Sequence, residues 1–297
     1  MEALDLVRLN FSPESLTLLN ITLGFIMFGV ALDLTMEDFK RLVKMPKLIF
    51  IGLSSQLILL PLITFILVSI INPYPGFALG MFLIAACPGG NTSNFMSSMA
   101  KGNVALSVSL TAFVNIGALF FTPFIFTFWA GQYEPAAALL QTINLEPMDM
   151  VQAVVLILGL PILVGMTFAN RYPKLTAKIR QPIKIGSILI FAAYILIAFI
   201  LNFDFFLKYV KYVVLLVLAH NTIAFLTGYS WATLFGLKDA DRRTITIETG
   251  IQNSGVALIL IFAFFDGMGS MAMIAGWWGI WHLLAGMTIS NYWSKRN

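Results

Sequence analysis

One carboxylate, Glu248, stands inside an apolar stretch of the sequence, and no Lys or Arg sits at comparable depth in any other apolar stretch. A carboxylate withdrawn from water is costly unless it is paired. Glu248 is therefore either protonated or beside a metal cation. Neutral oxygen donors recur in the other apolar stretches. Ser93 and Asn94 lie in one polar interruption, Gln252 follows Glu248 in a second, and Gln56, Ser107 and Thr111 lie in two further stretches. Ser107 and Thr111 are four apart and share a helix face. A single Ser or Thr in a helix usually bonds back to its own backbone, so the constellation carries the signal. Hydroxyl, amide and carboxylate oxygens are hard ligands, suited to sodium rather than zinc or copper.

Other chemistry is thinly represented. His220 and His282 are the two histidines and Cys87 the one cysteine. His220 reads as a hydrogen-bonded packing residue, and His282 as either packing or cavity lining. A lone Cys permits no internal disulfide and no thiolate metal site. The sequence contains no His-Glu-x-x-His, no phosphate loop and no Gly-x-Ser-x-Gly elbow, and intramembrane hydrolysis would need paired Asp or several His at depth. The chain reads as a non-enzyme.

These residues must be positioned by membrane helices. Of 297 residues, 59% are hydrophobic and only 11% charged, with a mean hydropathy of +0.88. That excludes a soluble or a disordered chain. The pI of 9.2 reflects a surplus of four charges and does not mark a nucleic-acid binder. The N-terminus lacks a basic region and a cleavage site, so no signal peptide is expected. Nine stretches reach the ~20 apolar residues of a span: 15–34, 47–71, 76–99, 103–129, 149–169, 183–201, 210–235, 243–265 and 270–292. Nine spans put the termini on opposite sides. One side then holds Arg8, Lys208 and Lys211, and the other holds the remaining fifteen of the 18 Lys and Arg. The basic side faces the cytoplasm, which places Met1 outside and Asn297 inside, in the inner membrane of a cell.

Two of the nine are interrupted. Stretch 76–99 contains Cys87-Pro88-Gly89-Gly90-Asn91-Thr92-Ser93-Asn94, and 243–265 contains Glu248-Thr249-Gly250-Ile251-Gln252-Asn253-Ser254-Gly255. Pro and Gly weaken a helix interior, and irregular backbone survives in a membrane only where protein or a watery cavity satisfies it. With nine spans the chain crosses the two interruptions in opposite directions. Pairing 76–99 with 243–265, 103–129 with 270–292, 47–71 with 210–235 and 15–34 with 183–201 gives an inverted repeat lacking one first helix. Interrupted helices at matching places of inverted halves point to a transporter binding site. An anionic cargo finds no deep Lys or Arg. The positive N-terminal ends of the half-helices remain, at Gly90, Asn91 and Thr92 and at Asn253 and Ser254, with His282 on the inverted partner of 103–129.

These motifs carry a resemblance. Cys87-Pro88-Gly89-Gly90-x-x-Ser93-Asn94, Gly102-Asn103-Val104-Ala105-Leu106-Ser107-Val108, Ile247-Glu248-x-Gly250-x-Gln252-Asn253-Ser254-Gly255 and Trp281-His282 resemble the bile acid:sodium symporter family, in register across nearly the whole chain. The resemblance is to members with nine helices. It implies a panel domain of 15–34, 149–169 and 183–201 and a core domain of 47–129 and 210–292, with the interrupted helices crossing. It implies two coupling sodium ions, one at Ser93, Asn94, Ser107, Thr111 and Glu248, and a second at Gln56, Glu248, Thr249, Ile251 and Gln252. Thr249 and Ile251 would act through their carbonyls. Substrate would lie between panel and core, beside the crossing. Asn91-Thr92 replaces the Thr-Ala common in bacterial relatives, and Leu283 replaces an Asn after His282. Both changes bear on the cargo and leave ion binding untouched. The expected activity is import of an organic anion, bile-acid-like or a small carboxylate such as a pantoate-like acid, by sodium symport across the lipid bilayer. No nucleic acid and no obligate protein partner are expected. Proton coupling through Glu248, an arsenite-type transporter using a cysteine, and a non-transporting receptor or intramembrane enzyme are the alternatives.

Overall fold

The computed structural model describes residues 21–296, apart from 23, 30, 33–35, 144–147, 149, 150, 153, 154 and 202. Parts of the expected spans 15–34 and 149–169 therefore lie outside the described residues. The described chain is all-helical, without a named strand. Residues 24–29 are helical. Next come α1 (Met36–Lys44), α2 (Pro46–Ile71), α3 (Pro75–Ala86), α4 (Asn91–Met99), α5 (Val104–Gln132) and α6 (Glu134–Ile143). The second half holds α7 (Leu160–Arg171), α8 (Pro173–Leu201), α9 (Phe203–Leu234), α10 (Asp239–Gly250), α11 (Ser254–Phe264) and α12 (Gly269–Ser294). Among the described residues, Pro46–Ile71, Val104–Gln132, Leu207–Leu234 and Gly269–Ser294 are long and apolar enough to cross a membrane, and α3 and α11 are shorter apolar helices.

The expected interruptions fall where the sequence puts them. Stretch 76–99 is α3 and α4, separated at Cys87–Gly90, and 243–265 is α10 and α11, separated at Ile251–Asn253. Other boundaries shift. The helix expected over 183–201 begins at Pro173, whose fixed φ suits a first turn. Lys208 and Lys211, read as loop residues, lie inside α9, with their nitrogens over the rings of Tyr209 and Tyr212. The gap read over 131–148 contains α6, because Glu134 and Pro135 form a favourable helix start rather than a turn. Likewise α1 is too polar to register as a span. A π-helical turn, Ser55–Leu59, sits inside α2, and another, Val155–Gly159, precedes α7. Each runs into a Leu-Pro pair, Leu60-Pro61 and Leu160-Pro161. The proline ring crowds the carbonyl four residues back, which widens that turn.

Burial sorts the helices. Every residue of α3 from Gly76 to Ala86 is buried, as is α11 from Val256 to Phe262; helices apolar on all sides belong in a core. By contrast α5 exposes Phe120, Phe124 and Phe128, and α12 exposes Ile280, Leu284 and Met287. These recur on one face at helical spacing, and an exposed apolar face of that kind suits lipid.

Hydrogen bonds gather the helix ends into two groups. At one end Lys47 Nζ donates to Phe235 O (3.4 Å), Asn103 Nδ2 to Asp241 Oδ1 (2.8 Å), and Arg243 Nη1 to Trp293 O (3.4 Å). At the other end the Tyr133 hydroxyl donates to Asn72 Oδ1, and Phe126 meets Phe265 edge to face at 5.5 Å. The first group includes the basic residues Lys47 and Arg243. α10 starts there, whereas α3 starts at the opposite end, so the chain enters its two interruptions from opposite sides.

Candidate ion and substrate site

The interruptions meet. The Asn253 N–H donates to Pro88 O at 2.8 Å, and Gly89 and Gln252 form an isolated antiparallel bridge. Backbone that neither half-helix can satisfy is satisfied by the other. The exposed C-terminal carbonyls of the incoming half-helices are also met by neighbours. Thr122 Oγ1 on α5 donates to Ala86 O (2.8 Å), and Asn221 Nδ2 on α9 donates to Gly250 O (2.8 Å). Gly228 lets α9 approach closely enough for this. A Cβ there would lie 2.8 Å from Thr246 Cα and 2.9 Å from Ile245 O.

Glu248 sits two residues before the end of α10 and is 1% exposed. Three hydroxyls reach its carboxylate. Ser93 Oγ donates to Oε1 at 2.7 Å, Ser107 Oγ donates to the same oxygen, and Thr111 Oγ1 donates to Oε2 at 3.0 Å. The same hydroxyls reach other acceptors: Ser93 to Gly90 O (2.7 Å), Ser107 to Asn94 Oδ1 (2.8 Å) and Thr111 to Asn94 Oδ1 (3.2 Å). Each hydroxyl owns one proton yet faces at least two acceptors. The cluster is thus rich in oxygen lone pairs and short of protons, a donor set suited to a hard cation. Ser93, Asn94, Ser107, Thr111 and Glu248 are brought together as the sequence pattern requires. Among the described residues no group of three or more His, Cys, Asp or Glu could hold a metal, so any cation here is met mainly by neutral oxygens.

A second group lies on the other side of the carboxylate. Gln56 Nε2 donates to Gln252 Oε1 (3.3 Å), and Gln252 Nε2 donates to Thr249 O (2.9 Å). The π turn of α2 opens at Ser55 and Gln56, and Ser55 Oγ pairs with Thr249 Oγ1 at 2.8 Å. Gly89 leaves the space between them. A Cβ on it would stand 3.2 Å from both Gln56 Nε2 and Glu248 Oε2 and 3.6 Å from Ile251 O. The Gln56 amide directs its Nε2 at that spot, and its Oε1 could face it only if the bond to Gln252 Oε1 were given up. Gln56, Glu248, Thr249, Ile251 and Gln252 are all buried.

The expected substrate residues divide. Gly90 is half-buried and a Cβ on it would meet no atom within 4 Å, while Thr92 is exposed. The Asn91 side chain lies outside the described part of the chain. Gly90 caps α4 through its backbone alone, its carbonyl accepting the Ser93 N–H at 2.9 Å. Asn253 differs, for its Oδ1 accepts the Val256 N–H at 3.2 Å and already serves the N-terminus of α11. Ser254 lies against α12, its Oγ 2.6 Å from where a Cβ on Gly279 would be. His282 is 6% exposed, packs edge to face on Trp278 at 6.4 Å, and its Nδ1 has no hydrogen-bond partner. His220 fits the packing role, its Nε2 lying 2.7 Å from Thr64 Oγ1. Cys87 is fully buried among apolar residues, as expected of a small packing residue.

Some participants escape a reading of the sequence. Ser55, adjacent to Gln56, could have been found by its place in the same interrupted turn. Ser97, 3.2 Å from Ser107, is one turn from Ser93 and Asn94. Asn221 carries no local signal, because its role is to cap a carbonyl 29 residues away.

Comparison with known proteins identifies the family. The sequence model described as Sodium Bile acid symporter family matches residues 20–209. A Bacillus subtilis protein called an uncharacterized sodium-dependent transporter, YocS, is 31% identical over 94% of this chain and 83% of its own length. A probable chloroplastic sodium/metabolite cotransporter of Arabidopsis thaliana is 30% identical over 96% of this chain and 68% of its own. The human P3 protein is 27% identical over 85% of this chain, which spans about half (52%) of that relative. These alignments reach past residue 209 and, in the first two, take in nearly all of the chain. With both halves of the crossing in place, the chain belongs to the sodium bile acid symporter family, a family of membrane transporters rather than of enzymes.

Proposed function

We propose that this protein is a sodium-coupled secondary active symporter that imports an organic anion by alternating access. The observation that carries the reading is the proton-poor oxygen cluster around Glu248, in which three hydroxyls reach more acceptors than they can serve. One sodium would take Ser93, Asn94, Ser107, Thr111 and Glu248. A second would take Gln56, Glu248, Thr249, Ile251 and Gln252, in the space that Gly89 leaves open. The names of the bacterial and plant relatives, a sodium-dependent transporter and a sodium/metabolite cotransporter, support sodium coupling.

In this reading α2–α5 and α9–α12 form a core that carries the ions. The helices at about 15–34, 149–169 and 183–201 form the panel against which it moves, and the cargo lies between. The anion approaches Gly90, Asn91 and Thr92 at the N-terminal end of α4, with Asn253, Ser254 and His282 nearby. Glu248 repels an anion until sodium neutralises it, which makes the two bindings cooperative. The basic end faces the cytoplasm and Met1 lies outside.

Tracer uptake of small carboxylates and bile-acid-like anions into proteoliposomes tests this. An inward sodium gradient should drive accumulation, and choline in its place should not. Uptake driven by a proton gradient without sodium would overturn the reading in favour of proton coupling.

A further inference from the structure

Arg243 is a buried cation that the proposed ion coupling does not use. Its side chain is withdrawn from the surface, at 9% exposure, and among the described residues its hydrogen bonds go to backbone carbonyls. A buried charge of this kind is held only where its partners are well placed. Nη1 donates to Ala100 O at 3.0 Å and to Trp293 O at 3.4 Å. Ala100 is the C-cap of α4, and Trp293 lies in the last turn of α12. The guanidinium therefore sits where the negative ends of two helix dipoles converge, serving Ala100 O at the end of α4 and sharing Trp293 O with the Arg296 N–H (3.1 Å).

The same place is tied further. The Asn103 N–H donates to Ala240 O (3.2 Å), Asn103 Nδ2 to Asp241 Oδ1 (2.8 Å), and Thr244 Oγ1 to Asn103 O (3.3 Å). α4 and α10 run antiparallel and are thus fastened at both ends. At the crossing, Asn253 N–H meets Pro88 O; at the basic end, Arg243 meets Ala100 O. Between the fasteners, Ser93 and Asn94 on α4 face Glu248 on α10, with Ser93 Oγ 2.7 Å from the carboxylate. Glu248 is five residues along α10 from Arg243, about 7.5 Å of rise. A slide or rotation of α10 by part of a turn would separate the two ligand sets.

Resting on the sodium reading, we infer that Arg243 is a positioning residue for the ion site: it fixes the register of α10 against α4, and so sets the sodium affinity of a cluster it does not touch. The test is sodium titration of purified protein by thermal stability, against choline chloride at equal ionic strength. A wild type that gains no stability from sodium would sink the sodium reading itself, an outcome distinct from any failure of the Arg243 role. Given a wild-type response, Arg243→Gln should raise the sodium concentration for half-maximal effect by about tenfold or more. Arg243→Lys should recover part of that loss, because one ammonium can still donate to Ala100 O. In uptake assays the KM for sodium should rise, while the maximal rate at saturating sodium falls less than about twofold. Lower stability in both variants with an unchanged sodium midpoint would overturn the inference and leave Arg243 a fold-stabilising residue only.

A measurement on the wild type keeps the inference testable if both variants fail to fold. Coupling between sites is reciprocal, so sodium should tighten the remote fastener. Amide exchange of Lys101, Gly102 and Asn103, whose N–H groups are bonded at this end, should slow severalfold in sodium relative to choline. Unchanged exchange there, with protection confined to the segments around 93–94 and 248–252, would contradict it.

Discussion

Gly89 and Gln252 face each other as an antiparallel bridge although 163 positions separate them in sequence. The bridge holds the two helix interruptions in contact, and the missing side chain of Gly89 leaves a space bounded by Glu248 Oε2, Gln56 Nε2 and Ile251 O. The irregular backbone at the centre of this membrane protein is therefore satisfied by its own counterpart, and the cost of breaking two helices supplies carbonyls and amides to a shared site.

The two adjacent glycines should respond differently to a methyl group. In Gly89→Ala the Cβ would stand 3.2 Å from both Gln56 and Glu248, a tight contact in the proposed second sodium position. Sodium affinity should fall by about tenfold, equivalent to about 1.4 kcal/mol. In Gly90→Ala the methyl meets no atom within 4 Å, so stability should stay within about 0.5 kcal/mol of wild type. Its KM for the anion should nevertheless rise. Sodium titration by thermal shift and uptake kinetics measure both, and normal anion KM in Gly90→Ala would remove the α4 N-terminus from the cargo site.

Much of this site was legible in the sequence because its logic is local. Pro88-Gly89-Gly90 and Gly250 with the polar residues after it announce their own breaks, and Ser107 and Thr111 share a face by spacing alone. Glu248 stood out because an unpaired carboxylate in an apolar stretch demands a partner. What stayed hidden is tertiary. Nothing near Asn221 says that its amide will cap Gly250 O, and Arg243 reads as a topology charge until its carbonyl partners on α4 and α12 are seen. The short helices α1 and α6 were missed for another reason: a search for twenty apolar residues passes over a helix that is short or polar.

The two groups of helix ends predict opposite readouts from terminal reporters. The basic end, with Lys47, Lys101, Lys238 and Arg242, should face the cytoplasm. A fusion at Asn297 should report from the cytoplasm and one at Met1 from outside. Both reporters on one side would break the nine-span reading.

Transport should carry charge. Two sodium ions with one monovalent anion move a net +1 inward, so the membrane potential contributes ~2.3 kcal/mol per 100 mV to accumulation. Proteoliposome uptake should rise when the interior is made negative, and a neutral amide of the cargo should bind far more weakly than the carboxylate. Potential-independent uptake of a monovalent acid would contradict the proposed two-to-one coupling.

The central claim is that Glu248 and its hydroxyls form the sodium site, and Glu248→Gln tests it most directly, since the amide keeps the shape and removes the charge. Purified wild type should gain about 2.7 kcal/mol of stability at sodium a hundredfold above its Kd. Ser107→Ala and Thr111→Ala should keep that response with its midpoint moved to higher sodium by about tenfold or less. Glu248→Gln should show no sodium-specific stabilisation over choline at the same concentrations. A Glu248→Gln titration that overlays the wild-type curve would show that sodium, if it binds, binds elsewhere.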